Sequence, residues 1–244
     1  MDRQAAKARW QTLQTVPACG WSWLALACVM LLLLAACGGA NTTPDAHQLI
    51  SQAQSAIQKV SSYHFNLAVD NPGTGGSLVI KNANGDILVP DKLKATANVL
   101  VLSSVVQVQM ISIDSQQYVT NPITGTWMPA TGLLDPRTLS NSRTGVASIL
   151  GHIQNPTTPK DSSANGTSCW SIDGTLDSQY LSGITGGGTP TGSKVAVTTC
   201  IGKSDHLPYL IRITGIATQG DTAKTVRTFT LSKFNEQLTI TAPI

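Results

Sequence analysis

The sequence predicts an α+β fold built on a strongly curved antiparallel sheet, with helices over one face. Three observations predict it. The chain is rich in Thr, Ser, Val, Ile and Gly and holds a single Glu, Glu236, which suits strands better than a helical bundle. The spacing of apolar residues switches from helical to alternating just after residue 61. The elements then run helix, strands, a helical middle, and strands again. Such a sheet is expected to curve strongly, because otherwise its apolar face exceeds what three short helices can cover.

The chain has 244 residues, beginning with Arg3, Lys7 and Arg9 and then an almost wholly apolar stretch from Trp21 to Ala36. This stretch ends in Leu34-Ala35-Ala36-Cys37-Gly38-Gly39, which resembles the lipobox of bacterial lipoproteins. There, small residues before the cysteine admit the backbone to the signal peptidase, and the thiol carries a diacylglycerol. The expected division is residues 1–36 as signal peptide, 37–45 as lipidated tether and 46–244 as one domain, with Cys37 as the lipidation site. An uncleaved spanning helix is the competing reading, since about 20 apolar residues cross a bilayer. The polar linker after Cys37 argues against it.

Thr43-Pro44-Asp45 reads as a helix start, with Thr43 as cap and Pro44 at the first helical position. Leu49, Ile50, Ala53, Ala56, Ile57 and Val60 then form one apolar stripe, which predicts a helix over about 45–61. Phe65, Leu67 and Val69 alternate with polar or small residues in a strand ending at Asp70. Leu78-Val79-Ile80 and Ile87-Leu88-Val89 flank Asn82 to Asp86, where Asn84-Gly85 suggests a hairpin turn. Strands are expected at 93–102, 105–113, 117–120 and 125–129. A helical pattern of Val146, Ile149, Leu150 and Ile153 follows, then a strand at Cys169 to Ile172 and a short helix from Asp177 to Ile184. Residues 185–192 read as a Gly-rich loop, and the last strands fall at 195–201, 208–217, 226–234 and 237–241.

Charge excludes one class of partner. The chain carries 16 Lys and Arg against 13 acids, and beyond the signal 13 remain against 12. So even a balance attracts phosphate backbones poorly, which argues against nucleic acid. Cys19 and Cys28 lie in the signal, leaving Cys169 and Cys200 as the disulfide expected of an exported domain.

Several segments, in order, are similar to the mycobacterial lipoprotein family that includes LppX, LprA, LprF and LprG. They are Ile57-Gln58-Lys59-Val60-Ser61-Ser62-Tyr63-His64-Phe65, then Ser115-Gln116-Gln117-Tyr118-Val119, Trp127, and the helix with Val146, Ile149 and Leu150. Asn165-Gly166-Thr167 and the closing run from Leu231 to Glu236 and Ile240 to Pro243 complete the set. The resemblance implies a half-barrel whose helices lie over the concave face and enclose a hydrophobic cavity. It also implies an acylated lipid or glycolipid ligand, transport across the envelope, and an envelope transporter as a further partner. The Cys169 and Cys200 pair, the Gly-rich segment and inner strand positions without arginine depart from the family.

Apolar strand and helix positions supply the candidate cavity walls: Leu67, Val69, Leu78, Ile80, Leu100, Leu102, Val106, Val108, Met110, Ile149, Ile153, Ile211, Ile213, Phe229 and Leu231. Core packing explains the same pattern, so the cavity rests on the resemblance. Catalysis finds little support. His47, His64, His152 and His206 are scattered without metal-ligand spacing, no Gly-x-Ser-x-Gly elbow occurs, and Gly183 to Gly188 lacks the Lys-Ser/Thr of a phosphate loop. The expectation is a non-enzymatic, cofactor-free protein on the extracytoplasmic membrane face, held there by lipid and carrying acyl chains. Its alternative is a ligand-free module that docks a partner envelope protein.

Overall fold

The first helix begins two residues later than its Thr43-Pro44 signal and ends at Ile57, short of the expected 61. α1 spans Ala46–Ile57, and its cap is Asp45, whose carboxylate accepts the backbone N–H of Gln48 at 2.8 Å. Asp outcompetes Thr43 because a charged acceptor also meets the positive end of the helix dipole. Leu49, Ile50, Ala53 and Ile57 form the buried face, and each large aliphatic side chain so buried contributes about 1.5–3 kcal/mol.

A computed structural model describes residues 43–73, 79–101, 104–131, 135–185 and 192–243. The strands in chain order are β1 (Ser62–Asp70), β2 (Val79–Leu88), β3 (Lys92–Val101), β4 (Ser104–Ile113), β5 (Gln116–Thr120) and β6 (Trp127–Ala130). Two short helices follow, α2 (Pro136–Ser140) and α3 (Val146–Gly151), then β7 (Lys160–Ala164) and β8 (Thr167–Asp177). A 3-10 turn at Ser178–Leu181 runs into α4 (Ser182–Thr185), and β9 (Lys194–Gly202), β10 (Pro208–Thr214) and β11 (Val226–Ser232) complete the sheet. The strand order is β6-β5-β4-β3-β2-β1-β11-β10-β9-β8-β7. Two antiparallel meanders thus join through the pairing of β1 with β11, in which Phe65 faces Leu231 and Leu67 faces Phe229.

This is an α+β fold with one antiparallel sheet, but the strongly curved half-barrel is not what forms. The sheet is open, with β6 and β7 as its two edges. The apolar area that curvature was expected to hide is smaller than the alternation suggests. On β2 and β3 the buried face carries small residues, Ala83, Ala95 and Ala97, with Gly85 beside them. Elsewhere Ile87, Leu93, Ile149, Leu150, Ile172, Leu176 and Leu181 fill the core and are almost completely buried. α1 packs against α3 above them.

The expected hairpin at Asn84-Gly85 is instead the middle of β2. Every residue from Asn82 to Asp86 has a partner on β3, and Gly85 pairs with Phe65 on its other side. A Cβ at Gly85 would lie 2.3 Å from the Lys94 carbonyl oxygen and 2.6 Å from the Ala95 Cβ. The glycine therefore serves close strand approach, not a turn. A genuine Asn-Gly turn joins β7 to β8, where Asn165 and Gly166 take φ of 49° and 79°. The strand expected at 237–241 does not form: left-handed Lys233 and Asn235 turn the chain out of the sheet, and the tail is held by the Ser62 hydroxyl donating to the Glu236 carbonyl at 2.6 Å.

Cys169 and Cys200 are joined by a disulfide between neighbouring strands β8 and β9, with their Cα atoms 5.5 Å apart. Cys37, residues 1–36, Leu78, Leu102 and most of the Gly-rich segment, 186–191, lie outside the described residues.

Candidate functional site

Between the sheet and the short helices lies a gap lined by Tyr63, Phe65, Ile87, Leu139, Val146, Ile149, Ile184, Ile211, Phe229 and Leu231. β1, β2, β10 and β11 supply its floor, while α2, α3 and α4 supply its roof. No lining side chain is charged. Burial pushes the Tyr63 phenol well above its ordinary pKa, so it stays neutral throughout the accessible pH range. The open space is only about 30 Å³, roughly the volume of one water molecule.

Four of the candidate wall residues line this gap: Ile149, Ile211, Phe229 and Leu231. Leu67, Val69, Met110 and Ile213 are buried core away from it, and Ile80, Val106, Val108 and Ile153 are half-buried against that core. Leu100 alternates with the buried Val99 and projects from the other face of β3. Six lining residues were missed. Phe65 and Val146 sat inside recognised patterns, and Ile87 was assigned to a hairpin flank. Leu139 belongs to a five-residue helix too short to show a period. One residue beyond it, the Ser140 hydroxyl is buried without a hydrogen-bond partner among the described residues.

Polar groups around the gap are committed elsewhere. Arg227 lies on the same face of β11 as Phe229 and Leu231, contrary to the expected absence of arginine there. Its guanidinium donates to both oxygens of Asp221, at 2.5 and 2.8 Å. Asp221 also accepts the backbone N–H groups of Ala217 and Thr218. Burial raises this carboxyl, but Arg227 and the two N–H groups outweigh it and hold its pKa below the usual range. His64 pairs with Asp86 at 2.7 Å across β1 and β2, and His152 stacks on Tyr180 at 3.6 Å. Among the described residues, no group of His, Cys, Asp and Glu is arranged to hold a metal ion.

The sequence profile of the LppX_LprAFG lipoprotein family matches residues 45–240, nearly the whole described domain. The chain belongs to this family. It is therefore an extracytoplasmic, membrane-associated lipoprotein of the lipid-carrier type and not an enzyme. Lipoprotein LprA of Mycobacterium tuberculosis is 26% identical over 244 residues, covering 91% of this chain and 98% of the relative. Among solved structures, LprF from Mycobacterium bovis matches with a TM-score of 0.66 at 20% identity, covering 82% of this chain and 99% of LprF. LppX from Mycobacterium tuberculosis matches at 0.58 and 22%, covering 80% of this chain and 98% of LppX. At these identities the two structures establish a shared fold.

Among the described residues no helix is long and apolar enough to cross a membrane.

Proposed function

We propose that this chain is anchored through a lipidated Cys37 after cleavage of residues 1–36, and that it holds acyl chains of a lipid or glycolipid during transfer across the envelope. The observation that carries the reading is the charge-free gap under α2, α3 and α4. Ligand pockets occupy about 300–1,000 Å³, so loading requires the roof to move. Its helices have five, six and four residues, lengths at which a helix has almost no stability of its own. Lifting them costs little beyond lost packing, and an acyl chain restores about 25 cal/mol for each Å² of apolar surface it covers.

The gap of about 30 Å³ also favours a second reading, a filled module that docks an envelope partner and carries no lipid. Spin-labelled palmitate separates the two. A carrier immobilises the label, and Val146→Trp, which fills the gap, weakens binding about tenfold, or 1.4 kcal/mol. A label that tumbles freely with the wild-type protein supports the docking module.

A further inference from the structure

The large apolar side chains exposed among the described residues are Val101, Val105, Ile123, Met128 and Ile216. Strand register places Val101, Val105 and Ile216 at one end of the sheet, and the β5–β6 turn with Ile123 projects toward that end. Val101 and Val105 flank the β3–β4 hairpin, and Val105 pairs with Leu100, which pairs with Val79 at the start of β2. Ile123 sits in the β5–β6 turn and is 92% exposed. Thr120, where that turn begins, faces the same way along the sheet, because β5 runs antiparallel to β4. Ile216 follows Thr214, which is level with Val226 and Asp70 at the same end. Met128 lies farther back, on edge strand β6.

Asp70, Lys81 and Lys224 stand at the β1–β2 and β10–β11 part of this end, but over β3 to β6 charge is distributed in the opposite sense. From residue 95 to residue 134 the chain carries one charged side chain, Asp114. Asp114 occupies the turn between β4 and β5 at the far end, where its backbone N–H donates to the Asp91 carbonyl. Lys92 and Lys94 stand at that far end too. The β3–β4 hairpin and the β5–β6 turn therefore hold only apolar and neutral polar residues, with half-buried Trp127 directly after the turn. Solvent-facing tips normally carry charge, whereas aliphatic tips beside a Trp match the chemistry of a bilayer interface.

We propose that the β3–β4 hairpin and the β5–β6 turn insert into the outer leaflet of the membrane that anchors the protein. The inference rests on lipidation at Cys37. The described domain begins at Thr43, six residues beyond Cys37, so an extended tether spans only about 20 Å. Within that reach the bilayer is the apolar surface always at hand. The β3–β4 hairpin and the β5–β6 turn lack Lys and Arg, so their insertion does not require anionic lipid.

Single cysteines at Val105, Ile123, Lys94 and Ser115 carry the test, since Cys169 and Cys200 are paired and Cys37 is acylated. Each variant of the full lipidated chain is labelled with a polarity-sensitive fluorophore and reconstituted on zwitterionic vesicles containing doxyl-lipid quencher. Probes at 105 and 123 are expected to shift to the blue and be quenched, while those at 94 and 115 stay in water. Vesicle-bound protein with all four probes in water overturns the insertion and leaves the anchor standing. Protein that fails to float with vesicles overturns both. Blue-shifted probes at 105 and 123 without vesicles would assign the hairpin and the turn to a second copy of the chain and also overturn the proposal.

Discussion

Arg227 and Asp221 form a two-pronged ion pair on the inner side of the sheet, with the Asp221 side chain only 3% exposed. The pair ties the loop between β10 and β11 to the start of β11. Arg227→Met strands a buried carboxylate and is expected to destabilise the fold by about 3–5 kcal/mol, measured by urea denaturation at pH 7. Replacing both partners with apolar residues is expected to recover most of that loss.

The same pair sets an acid limit. Asp221 titrates below the usual carboxylate range in the folded protein, as does Asp135 beside Arg137. A lowered folded-state pKa stabilises the protein above the unfolded value, near 3.9, and this stabilisation fades as pH falls through the folded value. Denaturation midpoints are therefore expected to drop below about pH 4. Asp221→Asn should start lower at pH 7 and fall less steeply with acid.

Gly85 and Ala95 approach each other too closely for any larger side chain at residue 85. Gly85→Val is expected to cost about 1–3 kcal/mol by overpacking. Gly166→Ala meets open space but must hold φ near +79°, so a loss of about 1–2 kcal/mol is expected from backbone strain alone. Thermal unfolding of the two variants compares crowding with strain.

The Cys169–Cys200 bridge closes a 31-residue separation, and a loop of that length is worth about 3–4 kcal/mol through the unfolded chain. Reduction, or a double Cys→Ala variant, is expected to lower the unfolding free energy by that amount with little change in the circular dichroism of the folded state.

What the sequence revealed followed the strength of the local signal. Strands such as β1, with Phe65, Leu67 and Val69 in alternation, were legible because a half-buried sheet imposes a period of two. The Asn84-Gly85 hairpin misled because the same dipeptide serves a turn at 165–166 and close packing at 84–85, and only the neighbouring strands decide which. β7 carries Lys160, Asp161, Ser162 and Ser163, an exposed edge with no apolar pattern to read. The expected curvature failed for a related reason: it counted apolar positions without weighing that Ala83, Ala95 and Ala97 contribute little area. Half of the gap's roof comes from α2 and α4, helices shorter than two turns, where periodicity has no room to appear.

Lipid carriage stands or falls on what the protein holds when it leaves its membrane. Native mass spectrometry of the full chain, extracted in mild detergent, measures this directly. A bound species with the mass of an acylated lipid is expected, lost or much reduced in Val146→Trp. A wild-type protein that is uniformly empty, whose acylated Cys37 accounts for all of its added mass, would contradict it.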